Sequence, residues 1–183
     1  MHHRIEGLKH GLLAGAAGLG AMQLAHRVTR PLVQQRAPRP TDVFATERAM
    51  SPLGLRHLPD ESPTAAVARI AYQRVAHRPP PDRLKPALSW AVHAGYGLLV
   101  AALYGVLRAR GRRRRSTTRG AVASGALFGL GLWLIGDELA VPLLGLADKP
   151  TAYHPSQHAQ ALVEHLAYGV TAATTARALG GVR

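Results

Sequence analysis

Four stretches of the chain are apolar over nearly the length of a membrane helix. In the 22 residues of 86–107, His93 is the one histidine or charged residue, and a helix of this length spans about 30 Å, the thickness of a bilayer core. Residues 120–136 give 17 uncharged residues and run past Asp137 and Glu138 into a further apolar segment. The pattern predicts an all-α, membrane-embedded bundle in a single domain (1–183), with transmembrane helices at about residues 7–26, 86–107, 120–141 and 157–179.

The first of these stretches has 15 uncharged residues, Gly11–Ala25, and the fourth is the weakest candidate because Glu164 and His165 lie inside it. The first stretch reaches membrane length when Lys9 and His10 extend to the headgroups. Arg4 and Lys9 ahead of an apolar core also fit the start of a secretory signal, but no small-x-small cleavage pattern follows near Gln23. We therefore predict an uncleaved anchor, with a three-span protein as the alternative.

The connection at residues 27–85 differs in composition from the rest of the chain. It holds nine of the 13 prolines and one of the 19 glycines. Ser62 can cap a helix and Pro63 suits its first turn, so we expect a modestly amphipathic helix over residues 63–78, stopped by three consecutive prolines. This helix either lies along the lipid headgroups or folds over the end of the bundle.

The charge distribution sets the orientation of the predicted spans. The chain has 23 basic and 10 acidic residues, a formal net charge of +13, and seven of its arginines lie in the loop Arg108–Arg119. The positive-inside rule places this short loop in the cytoplasm, and four spans then place both termini there. Residues 27–85 carry 11 basic and five acidic residues and fall outside, where the rule would not favour them.

The densest part of that loop has two candidate partners, nucleic acid and anionic lipid. No aromatic residues are interleaved with its arginines, which argues against nucleic acid. A loop between two spans needs cations for topology, and cations near a membrane attract anionic headgroups. We therefore expect lipid contact from Arg112, Arg113, Arg114 and Arg115.

Small residues recur at helical spacing in every predicted span. In lipid, helices associate where small side chains let their backbones touch. Gly11 with Gly15, and Gly125 with Gly129, match the GxxxG pattern. The expected helix contacts are Gly11, Gly15, Gly18 and Ala25; Gly97, Ala101 and Gly105; Ala121, Gly125, Gly129 and Gly136; and Ala161, Gly169, Ala172 and Ala176.

Titratable residues inside a membrane are costly and are therefore candidate functional residues. His93 and His165 lie at matched depths of about 10 Å in their helices, on the side where the third span ends in Asp137 and Glu138. Gln23 and His26 end the first predicted span on the same side. The sequence predicts one polar cluster near the outer face, made of His93, Asp137, Glu138, His158, Glu164 and His165.

The predicted cluster has several chemical interpretations. It can be a structural hydrogen-bond network that fixes helix register, or the site of a small transporter or proton-coupled conduit. His154, His158 and His165 have a spacing that permits metal ligation, although Pro155 interrupts it. His93 and His165 could be axial ligands of a haem, but helices that touch through glycine leave no slot for the porphyrin.

Enzymatic motifs are missing from the sequence. It has no cysteine, which excludes disulfides, cysteine nucleophiles and Cys-ligated metal centres. It contains no Walker loop, dinucleotide fingerprint, G-x-S-x-G or H-E-x-x-H motif. We predict a non-enzymatic membrane protein without a cofactor, whose partner is the bilayer, with a homo-oligomer as an open alternative.

The order of features resembles a known family. A glycine-rich first helix and a Pro-rich connection precede HAGYGLLVAALYG (His93–Gly105), a basic turn, GAVASGALFGLGLWL running into VPLLGL, and a final HLAYG. This layout is similar to the YagU-type family of bacterial inner-membrane proteins, and no match is recognised in residues 26–85. The resemblance implies a multi-pass protein of the inner membrane and brings no catalytic residues. For the non-enzymatic membrane protein predicted above, we expect a role in envelope or stress physiology.

Overall fold

The computed structural model describes residues 2–34, 48–110 and 117–180. Within these ranges the chain has helices and connecting turns and no strand, which confirms the all-α prediction. The main helices are α1 (His2–Gln34), α2 (Pro63–Ala76), α3 (Lys85–Arg110), α4 (Thr118–Gly131) and α5 (Pro155–Gly180). The predicted lipid contacts Arg112, Arg113, Arg114 and Arg115 lie outside the described residues.

The described residues divide into two compact units, where the sequence predicted a single domain. One, called here the bundle unit, falls within Met1–Arg36, Tyr96–Trp133 and Ser156–Arg183. The other, the connector unit, falls within Ala37–Gly95 and Leu134–Pro155.

In the bundle unit, α1 runs antiparallel to α3 through glycine contacts. A Cβ built on Gly11 would lie 2.6 Å from the Ala101 carbonyl oxygen, and one built on Gly105 would overlap the Gly7 carbonyl. Gly7 thus lies opposite Gly105 and Gly11 lies opposite Ala101, so residue numbers increase along α1 as they decrease along α3. The backbones approach closely because the residues at the crossing are glycines and alanines.

Helix α5 is antiparallel to both α1 and α4. Ala14 of α1 clusters with Ala172 and Ala176 of α5. Gly125 of α4 lies against Gly169 of α5, so closely that a Cβ on either residue would overlap or press on the other's carbonyl oxygen. The predicted small-residue contacts are confirmed at these positions.

In the bundle unit, small side chains are buried and large apolar side chains are exposed, which is the reverse of a water-soluble protein. Its buried apolar residues are mostly alanines, and Tyr168 and Met22 are the larger exceptions among the described residues. Leu99 is 67% exposed, Leu127 is 69% exposed and Leu13 is 58% exposed. Large apolar side chains therefore cover the outside of the unit, and small ones fill the inside.

Two helical segments among the described residues are long and apolar enough to cross a membrane, Asp82–Arg108 and Thr118–Leu143. Helix α1 extends well beyond the span predicted from hydropathy, over 33 residues, and includes Pro31. Hydropathy identifies only the apolar part of a helix. The helical conformation itself continues into the more polar residues on both sides. The prediction of four spans is thus supported by apolarity for two of them.

The second of these segments changes its winding before it ends. From Leu132 to Ala140 it is a π-helix, in which each N–H bonds to the carbonyl five residues back. Pro142 follows and is fully buried. A proline lacks an N–H and in an α-helix its ring meets the carbonyl four residues earlier, here that of Glu138, and the wider winding relieves that clash.

In the connector unit, α2 forms at the predicted position with the predicted cap. The Ser62 hydroxyl accepts a hydrogen bond from the Ala65 amide at 3.3 Å, and Pro63 occupies the first turn. The helix ends at Ala76, two residues before the predicted end, because His77 adopts a left-handed conformation with φ of 53°.

A partly buried ion pair fixes the segment before α2 to its inner face. Arg69 Nε donates to Glu61 Oε1 at 2.8 Å, and Arg69 Nη2 donates to the Arg56 carbonyl at 2.7 Å. The Leu58 amide donates to Glu61 Oε2 at 2.9 Å. The carboxylate and the guanidinium together hold residues 56–61 in place.

This pair gives the connector unit a dependence on pH. The hydrogen bond from Arg69, helped by the Leu58 amide, lowers the pKa of Glu61 below its usual range. A carboxyl with a lowered folded-state pKa stabilises the fold above its unfolded pKa, and this contribution is lost as the pH falls through the folded value. An NMR titration of the Leu58 amide and the Arg69 Nε–H should show both released together below the usual glutamate range. The Glu61→Gln variant should show no such step, and a step that persists in it would contradict the assignment.

The connector unit also joins residues 48–57 to the loop that follows the π-helix. The Gly145 carbonyl accepts from the Arg56 amide at 2.7 Å and from the His57 amide at 3.1 Å, and the Lys149 amide donates to the Arg48 carbonyl at 2.8 Å. Gly145 has φ of +70° and lies against the Gly54 carbonyl, so a side chain at this position would be both strained and blocked.

Candidate functional site

The clearest polar contact in the bundle unit joins α1 to α5. His26 Nδ1 lies 3.0 Å from Glu164 Oε1 and 3.3 Å from Gln160 Nε2. Gln160 and Glu164 are one turn apart on α5, so both face the imidazole. We call these three residues the α1–α5 polar cluster.

The α1–α5 polar cluster combines a mostly buried acid with a more exposed base. The Glu164 side chain is 14% exposed and the His26 side chain is 43% exposed. Since a carboxylate only accepts hydrogen bonds, the proton on Nδ1 donates to Glu164. A protonated imidazole makes this contact an ion pair, and a neutral imidazole leaves it a hydrogen bond to a charged acceptor.

Helix α5 satisfies one ring nitrogen of His165 within its own turns. Nδ1 of His165 donates to the Ala161 carbonyl at 2.8 Å, and a Cβ built on Gly129 would overlap the His165 carbonyl. The backbone at His165 is therefore packed directly against α4. His158 lies two turns earlier on α5 and is half-buried.

The six predicted cluster residues fall into both units. His158, Glu164 and His165 belong to the bundle unit, and His93, Asp137 and Glu138 belong to the connector unit. The structure joins Glu164 to His26, a residue of the first predicted span, rather than to another member of the six. The two acids of the third span lie within the π-helix and are half-buried.

A metal site needs several ligands within reach of one point. Over the described ranges, no three or more His, Asp or Glu side chains are grouped so that they could hold a metal ion. The structure therefore does not gather His154, His158 and His165 into a ligand set.

Tyr168 is a central residue that the sequence did not single out. It is 2% exposed, and its hydroxyl donates to the Gly97 carbonyl of α3. Its ring centroid lies 6.1 Å from that of Phe128 on α4, and a Cβ on Gly18 of α1 would press against the ring. One side chain thus touches all three neighbouring helices.

A signal for Tyr168 was present in the sequence. It lies four residues before Ala172 and eight before Ala176, inside the predicted line of small residues on that helix. A single large aromatic in such a line has to be accommodated by glycines opposite, here Gly18 and Gly97.

The connector unit contains a surface cleft of about 220 Å³. Arg69, Glu61 and Lys85 contribute charged groups to its wall, and Leu58 and Leu88 contribute apolar ones. Both charges of the Arg69 and Glu61 pair are already satisfied by each other. No histidine lines this cleft, so it does not correspond to the conduit that the sequence offered as an alternative.

No known protein family, curated protein or solved structure matches this chain. The chemical evidence on its role therefore comes from its own residues.

The α1–α5 polar cluster predicts measurable coupling between two residues 138 positions apart. In a double-mutant cycle of His26→Ala and Glu164→Ala, we expect a coupling free energy of about 0.5–1 kcal/mol, since one partner is well exposed. The measurement is reversible unfolding in mixed detergent micelles. The Glu164→Gln variant should retain part of the coupling because its amide oxygen still accepts. Additive single variants would contradict the pairing.

Proposed function

We propose that this chain is an integral membrane protein whose four bundle helices cross a lipid bilayer, and whose polar groups lock helix register rather than perform catalysis. The observation that carries the proposal is the inverted distribution of side-chain size. Alanine and glycine make the helix contacts, and leucines such as Leu13, Leu99 and Leu127 face outward.

The energetic argument depends on the solvent around the bundle. In water, each leucine left exposed loses about 1.5–3 kcal/mol of stabilising free energy that its burial would give. Contacts between alanines replace little of this free energy. In lipid this loss disappears, and close backbone packing through small residues becomes the source of stability. Large apolar side chains exposed on several helices of one unit favour a membrane or protein interface.

The polar contacts favour a structural role within this proposal. Tyr168, His165 and Glu164 each have a partner on a helix of the bundle unit. The carbonyl of His165 lies in direct contact with Gly129. A small transporter or proton-coupled conduit would use Glu164 and the partly exposed His26, and this is the competing function.

The location that we propose is the bacterial inner membrane, in a multi-pass arrangement and with a role in envelope or stress physiology. The arginine loop Arg108–Arg119 supports a cytoplasmic position for that loop through the positive-inside rule and would contact anionic headgroups. Membership of the YagU-type family is proposed on the layout of the helices and their short motifs.

Single-cysteine labelling tests the proposal, because the chain has no cysteine of its own. We expect the full chain, expressed in a bacterium, to stay in the membrane after carbonate extraction. Leu99→Cys and Leu127→Cys should resist an impermeant maleimide. Arg119→Cys should react only from the cytoplasmic side, and Thr151→Cys only from the opposite side. Extraction by carbonate, or labelling of both leucine positions, would overturn the proposal.

Glu164 separates the two functions. Proton transport into vesicles by the reconstituted protein, abolished in Glu164→Gln, would favour the conduit. A structural role predicts no transport in either protein and lower stability in the variant.

A further inference from the structure

Helix α2 turns Arg69 inward and exposes three apolar side chains. The Arg69 side chain is 14% exposed in its pair with Glu61, whereas Val75 is 84% exposed and Val67 is 36% exposed. Ala71 is also exposed, so these three apolar residues, spaced four apart, form an outer stripe. Water favours burial of valine over arginine, and the outer stripe therefore suits a neighbour that is not water.

The charge around the outer stripe is positive. Arg74 is exposed and lies within the same arc of the helix surface, and Arg78 is exposed just beyond the end of the helix. The 14 residues of α2 contain no acidic side chain. An apolar stripe edged by arginines is complementary to a surface that is apolar inside and anionic outside, which is the arrangement of lipid headgroups over acyl chains.

The start of α2 lies beside the first turns of α3, and a short connection limits how far its other end can be from them. Near its start, Thr64 Oγ1 lies 2.9 Å from Ser89 Oγ. At its other end, eight residues (77–84) lead to the start of α3 at Lys85, a reach of at most about 28 Å. Trp90 is 64% exposed on these same turns, and tryptophan is enriched at the membrane–water interface.

We propose that α2 is an interfacial helix that lies on the anionic surface of the bilayer. The outer stripe enters the boundary between headgroups and acyl chains, and Arg74 and Arg78 bind lipid phosphates. The inference rests on the proposed function, because it needs α3 to enter lipid next to Trp90. Each arginine near an anionic surface contributes about 1 kcal/mol, which is about a fivefold change in partitioning.

Spin labels on single cysteines test this in the full chain reconstituted into nanodiscs. The discs contain phosphatidylcholine alone or phosphatidylcholine mixed with phosphatidylglycerol. Labels at Val67→Cys and Val75→Cys should collide more often with oxygen, which concentrates in lipid, than with a water-soluble nickel chelate. In the mixed discs, Arg74→Gln with Arg78→Gln should lower the ratio of lipid-contacting to water-contacting label by about 25-fold, the product of two fivefold effects.

Three control labels keep the outcomes distinct. Leu99→Cys and Leu127→Cys report on the membrane spans, and Thr151→Cys reports on water. Water contact at the two valine positions, with lipid contact at both leucines, would overturn the inference and leave the proposed function standing. Water contact at the leucines as well would overturn the proposed function.

Two further outcomes would also overturn the inference. Labels at Val67 and Val75 that neither reagent reaches would mean that another protein or a second copy covers the outer stripe. Lipid contact that is equal in both kinds of disc and unaffected by the arginine substitutions would mean that anionic headgroups are not bound.

Discussion

Replacing Gly129 with alanine should separate α4 from α5. A Cβ at this position would overlap the His165 carbonyl oxygen, lie 2.8 Å from the His165 carbonyl carbon and lie 3.1 Å from the Leu166 Cα. All three neighbours are backbone atoms, which cannot rotate away. We expect Gly129→Ala to lower the free energy of unfolding by about 1–3 kcal/mol, and Gly129→Leu to prevent assembly of the bundle. The measurement is reversible unfolding in mixed detergent micelles.

The matched control lies two residues away on the same helix. A Cβ built on Gly131 would meet no neighbouring atom within 4 Å, so Gly131→Ala makes the same chemical change without the contact. It should be neutral or slightly stabilising, since alanine forms helix better than glycine by up to about 1 kcal/mol. The pair Gly105→Ala and Gly95→Ala repeats the comparison on α3. Equal effects within either pair would contradict packing through glycine.

Tyr168→Ala should be among the most damaging side-chain truncations in the bundle unit. The substitution empties a site that is 2% exposed and removes contacts with α1, α3 and α4 at once. Large-to-alanine changes at such sites cost about 3–5 kcal/mol. The control is Leu127→Ala on α4, where the leucine is 69% exposed. It should change the free energy of unfolding little, and a loss equal to that of Tyr168→Ala would show that Tyr168 is not a central contact.

The Tyr168→Phe variant isolates the hydroxyl from the ring. It should lose the hydrogen bond to the Gly97 carbonyl and keep the packing. The expected cost is about 0.6 kcal/mol, the average for hydrogen bonds between helices in membranes. A cost as large as that of Tyr168→Ala would mean that the hydrogen bond, rather than the ring, holds the helices together.

The helix contacts could be predicted from the sequence because packing in lipid requires small residues at helical spacing, which is a local sequence pattern. Gly11, Gly105 and Gly129 are spaced with other small residues at helical intervals, and each of them touches a neighbouring helix. Gly131 also looks small and helical but faces open space. The spacing identifies the face of a helix, and the angle at which two helices cross decides which glycines meet.

The partners within the site could not be predicted in the same way. Glu164 stood out because a carboxylate in an apolar helix is costly. Its pairing with His26 depends on how far α1 and α5 slide past each other, which no local pattern encodes. The π-helix that holds Asp137 and Glu138 is a change in backbone hydrogen bonding just before Pro142, so hydropathy gave no sign of it.

The contact between α3 and α4 differs from the glycine contacts elsewhere in the bundle unit. Tyr104 stacks on Phe128 with ring centroids 4.7 Å apart, and its hydroxyl lies 3.2 Å from Ser124 Oγ. Aromatic side chains can change their χ angles while the helices stay in place. Two main chains in direct contact can separate only if a whole helix moves. The contact between α3 and α4 can therefore adjust by rotation of side chains, whereas the contact between α4 and α5 at Gly125 and Gly129 cannot.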